Sequence, residues 1–303
     1  MTRRQDSHPL KMRILPLFFA LGWMLGACNP APDPEMTPHP QPTATTVAVT
    51  PTANTSLPSP TQPAPTGTPD CLQIGGEVQS FEFYSTQLGG DLIFDVYLPP
   101  CYDPDAGPRY PVTYLLHGLS YAQDQWQRLG VVRSLDRLIA GGELAPFIVV
   151  MPLEAAFEPP QTSQFGDAIV QDLIPWVDKN LHTIADSDHR AIGGVSRGAA
   201  WATRLGFESY ELFTRVGAHS LPLFEADGGR LIAWTTQLPK DELPQFFIDI
   251  GRNDQEWKTA QTFADLLDEN SIPHEWYLFN GGHTEAYWST HLEQYLRWYA
   301  WNW

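Results

Sequence analysis

Apolar and polar positions follow a regular order in the last three quarters of the chain. Residues 78–84 and 92–98 alternate between apolar and polar side chains, and Gly89 and Gly90 lie between them. This pattern predicts a hairpin of two antiparallel strands. Continuous apolar runs follow, as expected of strands buried on both faces. These runs are 112–116, 147–151, 191–195, 214–218, 246–250 and 276–279.

Stretches with helical periodicity separate the strands. They are 131–140, 167–180, 198–206, 259–270 and 285–298. Strands that alternate with helices predict a mostly parallel sheet with helices on both faces. Eight strands with a leading hairpin match the plan of the α/β-hydrolase fold, which is our predicted fold class.

The first 28 residues have the pattern of an export signal. A basic start precedes the apolar run 14–25, which is too short to span a bilayer as a stable helix. The run ends in Leu25-Gly26-Ala27-Cys28, which resembles the lipobox of bacterial lipoproteins. We predict a signal peptide at 1–27 and lipidation of Cys28, which would anchor the protein to a membrane of the bacterial cell envelope, outside the cytoplasm. An ordinary secretory signal with a chance cysteine is the alternative.

Residues 28–70 are predicted to be a disordered linker, and 71–303 the folded domain. Of the 42 residues 29–70, 12 are proline and 10 are threonine. Such a segment buries too little apolar surface to offset the entropy of ordering it.

The chain has three cysteines. If Cys28 carries lipid, Cys71 and Cys101 remain in an oxidising compartment, and we expect them to form a disulfide. Two buried free thiols are the alternative.

The charge balance excludes one class of partner. The chain has 35 acidic and 18 basic residues, a formal net charge of −17. Nucleic-acid binding needs a basic face toward the phosphates, so we expect no nucleic-acid partner.

The sharpest chemical signal is the pentapeptide 194–198, Gly-Val-Ser-Arg-Gly, which has the form G-x-S-x-G. It follows a predicted buried strand and opens a predicted helix, which is the context of a nucleophilic serine. The glycines leave room for a strained turn, and the helix N-terminus supplies amide donors for an oxyanion. We predict Ser196 as the nucleophile; a plain glycine-rich turn is the alternative.

A serine hydroxyl needs a base that takes its proton. His283 follows the last predicted strand and two glycines, and we predict it as the base. His117 lies beside the predicted oxyanion loop, and His219 follows a core strand, where it could line the pocket.

An acid should orient that histidine. Asp254 lies in the loop after the strand 246–250 and is our prediction, with Asp249 inside the strand and Glu256 as rivals. The serine–aspartate–histidine order along the chain is that of the α/β-hydrolases.

Two backbone amides should form an oxyanion hole. We predict the amide of Arg197, after the nucleophile, and that of Leu119, where Gly118 lets the chain turn. For the Arg197 side chain we favour a solvated surface position over contact with an acidic substrate group.

Taken in order, these stretches resemble the esterase D/feruloyl esterase branch of the α/β-hydrolases, which also holds enterochelin-type esterases and mycolyltransferases. The matching stretches are 97–102, 115–118 with Trp126, 172–177, 190–198, 249–251 with Asp254, and 281–283 with Trp288. The resemblance implies a carboxylic-ester hydrolase without metal or organic cofactor, with Ser196, Asp254 and His283 at the family's triad positions. Ala199 departs from many relatives, which have a glycine there.

The implied substrates are acyl or feruloyl esters, either small molecules or groups on a polysaccharide, and siderophore esters. Tyr121, Trp126 and Trp288 flank the site motifs, and we predict that they stack on an aryl or sugar ring; core packing is the alternative for each. Two other functions stay open: an acyltransferase of the mycolyltransferase type, and a non-catalytic binding lipoprotein of the envelope.

Overall fold

The computed structural model describes residues 70–303. The predicted signal peptide, Cys28 and the linker up to residue 69 lie outside the described residues. The strands form one eight-stranded sheet in the order β1-β2-β4-β3-β5-β6-β7-β8. They are β1 (Glu77–Ser85), β2 (Gly90–Leu98), β3 (Val112–Leu116), β4 (Ile148–Pro152), β5 (Arg190–Val195), β6 (Arg215–His219), β7 (Gln245–Gly251) and β8 (His274–Phe279).

The strand directions match the predicted plan. β1 and β2 form the antiparallel hairpin, and β2 is also antiparallel to β4. All remaining neighbours are parallel. The carboxyl ends of β3 to β8 therefore meet at one edge of the sheet, where loops can bring side chains together.

Helices cover both faces of the sheet. They are α1 (Asp70–Ile74), α2 (Gln125–Leu129), α3 (Val131–Ala140), α4 (Phe165–Asp167), α5 (Ile174–Asn180), α6 (Arg197–Glu208), α7 (Gly228–Gln237), α8 (Trp257–Glu269) and α9 (Glu285–Tyr299). Residues of α2, α3 and α9 share a buried cluster with one face, and residues of α5, α6 and α8 share a cluster with the other. The predicted fold class is confirmed. Within residues 70–303, no helix is long and apolar enough to cross a membrane.

The structure differs from the sequence prediction in its short helices. α2 has five residues, too few to show a periodic pattern. α7 has no counterpart among the predicted helices, and it begins at two glycines, which disfavour a helix. The predicted helix 167–180 is broken by a π-helical turn, Ala168–Leu173.

A disulfide joins Cys71 to Cys101, and their Cα atoms are 5.2 Å apart. The predicted pairing is present, and it ties α1 to the loop after β2. The two cysteines are 30 residues apart in sequence. In the chain-entropy model, closing a loop of that size stabilises the folded state by about 3 to 4 kcal/mol.

Candidate active site

Ser196 lies at a strained turn between β5 and α6. Its backbone has φ 55° and ψ −122°, which L-residues rarely adopt. A Cβ on Gly194 would lie 2.3 Å from the Gly198 backbone, and a Cβ on Gly198 would lie 2.2 Å from the Leu116 carbonyl oxygen. Steric exclusion of any larger residue at these two positions explains the two glycines of the motif.

The side chains of Ser196, His283 and Asp254 form a continuous hydrogen-bond chain. Nε2 of His283 lies 2.8 Å from Oγ of Ser196. Nδ1 of the same ring lies 2.9 Å and 3.1 Å from the two carboxylate oxygens of Asp254. With Nδ1–H donating to the carboxylate, Nε2 is free to accept the serine proton.

The loops after β7 and β8 meet closely, and this brings the aspartate to the histidine. The amide of Asn253 donates to the carbonyl of Gly281 over 2.8 Å. A Cβ on Gly251 would lie 2.4 Å from the same carbonyl oxygen, so the approach requires glycine. Asp254 directly follows Asn253, and His283 lies two positions after Gly281.

Asp254 is buried and stays ionised. Burial alone raises the pKa of its carboxyl group, but hydrogen bonds from His283 and from the Glu256 amide outweigh burial and hold the pKa below its ordinary value. The carboxylate can therefore stabilise an imidazolium on His283.

Trp288 supports this chain from behind. It is 2% exposed, and its indole N–H donates to Oγ of Ser220 over 3.0 Å. Its ring packs edge-on against the imidazole of His283, with centroids 5.2 Å apart. No face is left for a ligand ring, so the prediction that Trp288 stacks on substrate is wrong.

The same prediction is wrong for Trp126. This side chain is fully buried, and its indole N–H donates to the carbonyl of Leu116 over 3.0 Å. Tyr121 differs, because its side chain is 40% exposed on the loop after β3, with the Arg128 guanidinium 5.5 Å from the ring centroid. A substrate contact at Tyr121 stays a prediction.

The loop after β3 touches the nucleophile. A Cβ built on Gly118 would lie 3.5 Å from the Cβ of Ser196. The amide of Gly118 donates to Oε1 of Gln125 over 2.8 Å, which closes the loop on α2. Leu119 follows Gly118 in this loop, and Arg197 follows Ser196 as the first residue of α6. Their amides stay our predicted oxyanion donors.

The side chain of Arg197 is neither solvated nor free to bind a substrate. The predicted surface position and the alternative, contact with an acidic substrate group, are therefore both wrong. It is 13% exposed and pairs with Glu154, with Nε and Nη2 at 2.7 Å and 2.5 Å from the carboxylate oxygens. The guanidinium also packs over Phe157 and Phe224. The sequence signal for Glu154 is its place two residues after β4, at the carboxyl edge of the sheet.

Asp249, the rival acid, is fully buried in a separate network. One carboxylate oxygen lies 2.6 Å from Nδ1 of His219, and the other accepts from the hydroxyls of Tyr287 and Tyr295 over 2.7 Å each. Nε2 of His219 lies 2.8 Å from the hydroxyl of Tyr299. The expectation that His219 lines the pocket is wrong, because its ring is enclosed by aromatic side chains.

In the part of the chain that the structure describes, no cluster of histidine, cysteine or acidic side chains could hold a metal ion.

An eight-stranded α/β-hydrolase sheet with serine, histidine and aspartate linked at its carboxyl edge is the arrangement of serine hydrolases. Residues 85–299 match a family described as putative esterase. The chain therefore belongs to this esterase family.

Similar proteins carry related descriptions. The chain is 29% identical over 197 residues to an endo-1,4-β-xylanase/feruloyl esterase of Xylanibacter ruminicola, a match that covers 60% of this chain and 25% of the relative. It is 30% identical over 182 residues to an esterase of Mycobacterium tuberculosis, covering 56% and 37%. The chain thus spans a quarter to just over a third of these curated relatives. A solved ferulic acid esterase has a TM-score of 0.67 and 24% identity, covering 75% of this chain and 98% of that one.

Proposed function

We propose that the chain is a serine carboxylic ester hydrolase that works through an acyl-enzyme. The observation that carries this proposal is the hydrogen-bond chain from Ser196 through His283 to Asp254. The strained turn at Ser196 supports it, because such a turn presents the hydroxyl above the sheet edge. Membership in the esterase family supports the reaction class.

In the first half of the reaction, Oγ of Ser196 attacks the ester carbonyl carbon while Nε2 of His283 takes the hydroxyl proton. The negative charge that forms on the carbonyl oxygen faces the amides of Leu119 and Arg197. Asp254 holds the imidazolium in place. When the tetrahedral intermediate collapses, the bond to the alcohol oxygen breaks and His283 returns its proton to the departing alcohol.

In the second half, a water molecule attacks the acyl carbon and gives a proton to His283. Collapse of this second intermediate releases the acid, and the proton returns to Ser196. The cycle returns Ser196 and His283 to their starting protonation states.

We further propose small acyl or feruloyl/acetyl-type esters, free or on polysaccharide, as substrates. The descriptions of the relatives support this class. The exposed side chains of Leu119 and Tyr121, on the loop that touches the nucleophile, add an apolar surface for an acyl or aryl group.

We expect the protein to hydrolyse p-nitrophenyl acetate and methyl ferulate in a first assay. Both carry an ester carbonyl, and the partly exposed Ser196 is accessible to it. The assay uses a series of p-nitrophenyl esters from acetate to octanoate, and the ratios of their kcat/KM values give the acyl preference. A folded protein that is inert on every ester would contradict the proposal. Formation of an acyl-sugar when a sugar is added would instead favour the acyltransferase.

We also propose that the protein is exported and anchored by lipid at Cys28. The N-terminal pattern supports this, and so does the disulfide, because disulfides persist in oxidising compartments. Cys28→Ser should move the full-length protein from the membrane fraction to the soluble extracytoplasmic fraction without changing ester hydrolysis. The matched variant Cys101→Ser should stay with the membrane. Fractionation followed by immunoblotting measures both, and an unchanged distribution of Cys28→Ser would contradict the anchor.

A further inference from the structure

Glu154 is a buried carboxylate that the proposed reaction does not use. It is 2% exposed. One carboxylate oxygen accepts from Nη2 of Arg197 over 2.5 Å and from the indole N–H of Trp201 over 3.0 Å, and the other accepts from Nε of Arg197 over 2.7 Å. A second contact, from Nη2 to the carbonyl of Glu158 over 2.6 Å, holds the same guanidinium. The side chain of the residue after the nucleophile is therefore fixed from several directions.

The backbone of Glu154 reaches the opposite loop. Its amide donates to Nε2 of His117 over 2.9 Å. Because Nε2 accepts here, the ring proton lies on Nδ1, which donates to the carbonyl of Gly118 over 2.9 Å. Burial lowers the pKa of His117, which keeps the neutral ring that this pattern needs.

The carbonyl of Gly118 and the amide of Leu119 belong to one peptide unit. Described peptide bonds are trans, so the N–H points away from the C=O within one plane. His117 and the amide of Tyr121, which donates to the same carbonyl over 3.2 Å, hold the C=O end. Fixing that end fixes the direction of the Leu119 N–H.

We propose that Glu154 is a positioning residue that sets the two oxyanion donors relative to each other before substrate binds. Its carboxylate holds the side chain of Arg197, and its amide holds the Gly118–Leu119 peptide unit through His117. This inference rests on the proposed function. Donors act on a transition state only when they are already aimed at the developing charge, so loosening one of them lowers kcat more than it raises KM.

Glu154→Gln tests the proposal. Glutamine keeps the backbone amide, and with it the contact to His117, but it leaves the buried guanidinium of Arg197 without a counter-charge. We expect kcat for p-nitrophenyl acetate to fall about tenfold or more, with KM within about twofold, because the loss is confined to the transition state. The inhibition constant of a trifluoromethyl ketone, which forms a tetrahedral adduct on serine, should rise in parallel with the loss in kcat/KM. Inhibition by the product acid should not change.

The chain offers a matched control on the same helix. Arg204 pairs with Asp227 over 2.6 Å, and these side chains are 10% and 3% exposed, against 13% and 3% for Arg197 and Glu154. Both variants break a buried ion pair, so Asp227→Asn should lower Tm by an amount similar to Glu154→Gln. Asp227→Asn should nevertheless leave kcat within about twofold of the wild-type value. Melting curves and steady-state kinetics of the full chain compare the two.

A double variant separates stability from positioning if the single variant folds poorly. Glu154→Gln with Arg197→Met removes both charges and retains the Arg197 backbone amide. We expect Tm to recover toward the wild-type value while kcat stays low. Three results would each overturn this inference but not the proposed function. They are recovery of kcat in the double variant, a normal kcat in Glu154→Gln, and an equal loss of kcat in Asp227→Asn. A wild-type chain that is inert on every ester would overturn the proposed function and this inference with it.

Discussion

Alanine in place of Ser196 should lower kcat for p-nitrophenyl acetate by about 10⁴-fold or more. The physical reason is that Oγ is the atom that forms the bond to the acyl group, and it lies 2.8 Å from the nitrogen that takes its proton. Stability should change little, because glycines and backbone hydrogen bonds hold the turn. Steady-state kinetics and a melting curve measure both quantities.

Covalent labelling adds a direct readout for Ser196. Wild-type protein treated with diethyl p-nitrophenyl phosphate should gain one diethylphosphoryl group by mass spectrometry, while Ser196→Ala should gain none. Ser134→Ala, a change of the same kind on α3, should behave as wild type in both assays. Retention of more than about one percent of kcat in Ser196→Ala would be far outside the loss expected for a nucleophile, and would remove Ser196 from that role.

Replacement of Asp254 should mainly lower activity, whereas replacement of Asp249 should mainly lower stability. Asp254→Asn should lower kcat by about 10⁴-fold with a small change in Tm, because an amide cannot hold the histidine in the required tautomer or stabilise its cation. Asp249→Asn should lower the free energy of unfolding by about 3 kcal/mol or more, because an amide nitrogen would face buried donors. For a domain of this size, that loss corresponds to about 6 to 12 °C in Tm.

Each aspartate variant is the control for the other, since both replace a buried carboxylate by an amide. Kinetics are measured at a temperature where both variants are folded, as judged by circular dichroism. The folded Asp249→Asn enzyme should keep kcat within about tenfold of wild type, since its contacts are to His219 and to tyrosines behind the sheet edge rather than to the triad histidine. If Asp249→Asn lost activity as severely as Asp254→Asn, the assignment of the acid would be wrong.

Much of the fold could be predicted because its signals are local. The bounds of β3 and α3, Val112–Leu116 and Val131–Ala140, coincide with the predicted runs, since apolar periodicity depends on near neighbours in sequence. The other predicted strands differ from the observed ones by at most two residues at either end. α7 was missed, because its two initial glycines disfavour a helix, and packing of Leu231 against the core overrides that preference.

The members of the candidate triad could be named from the sequence because each follows the carboxyl end of a strand. In a parallel sheet those ends share one edge, so chain order and strand order suffice to predict their approach. The choice of Asp254 over Asp249 also followed from strand geometry, since a residue inside a strand points into a face of the sheet. The structure places Asp249 within such a face, under α9.

By itself, the sequence determined the order of strands and helices, the turn around Ser196, and the residues that can meet at the sheet edge. Only the tertiary structure decided which aromatic side chains are enclosed, as Trp126 and Trp288 are. It also decided that Arg197 pairs with Glu154, 43 positions away. The reason is that secondary structure follows from neighbouring residues along the chain, whereas burial and ion pairing depend on distant segments that meet only when the helices pack on the sheet.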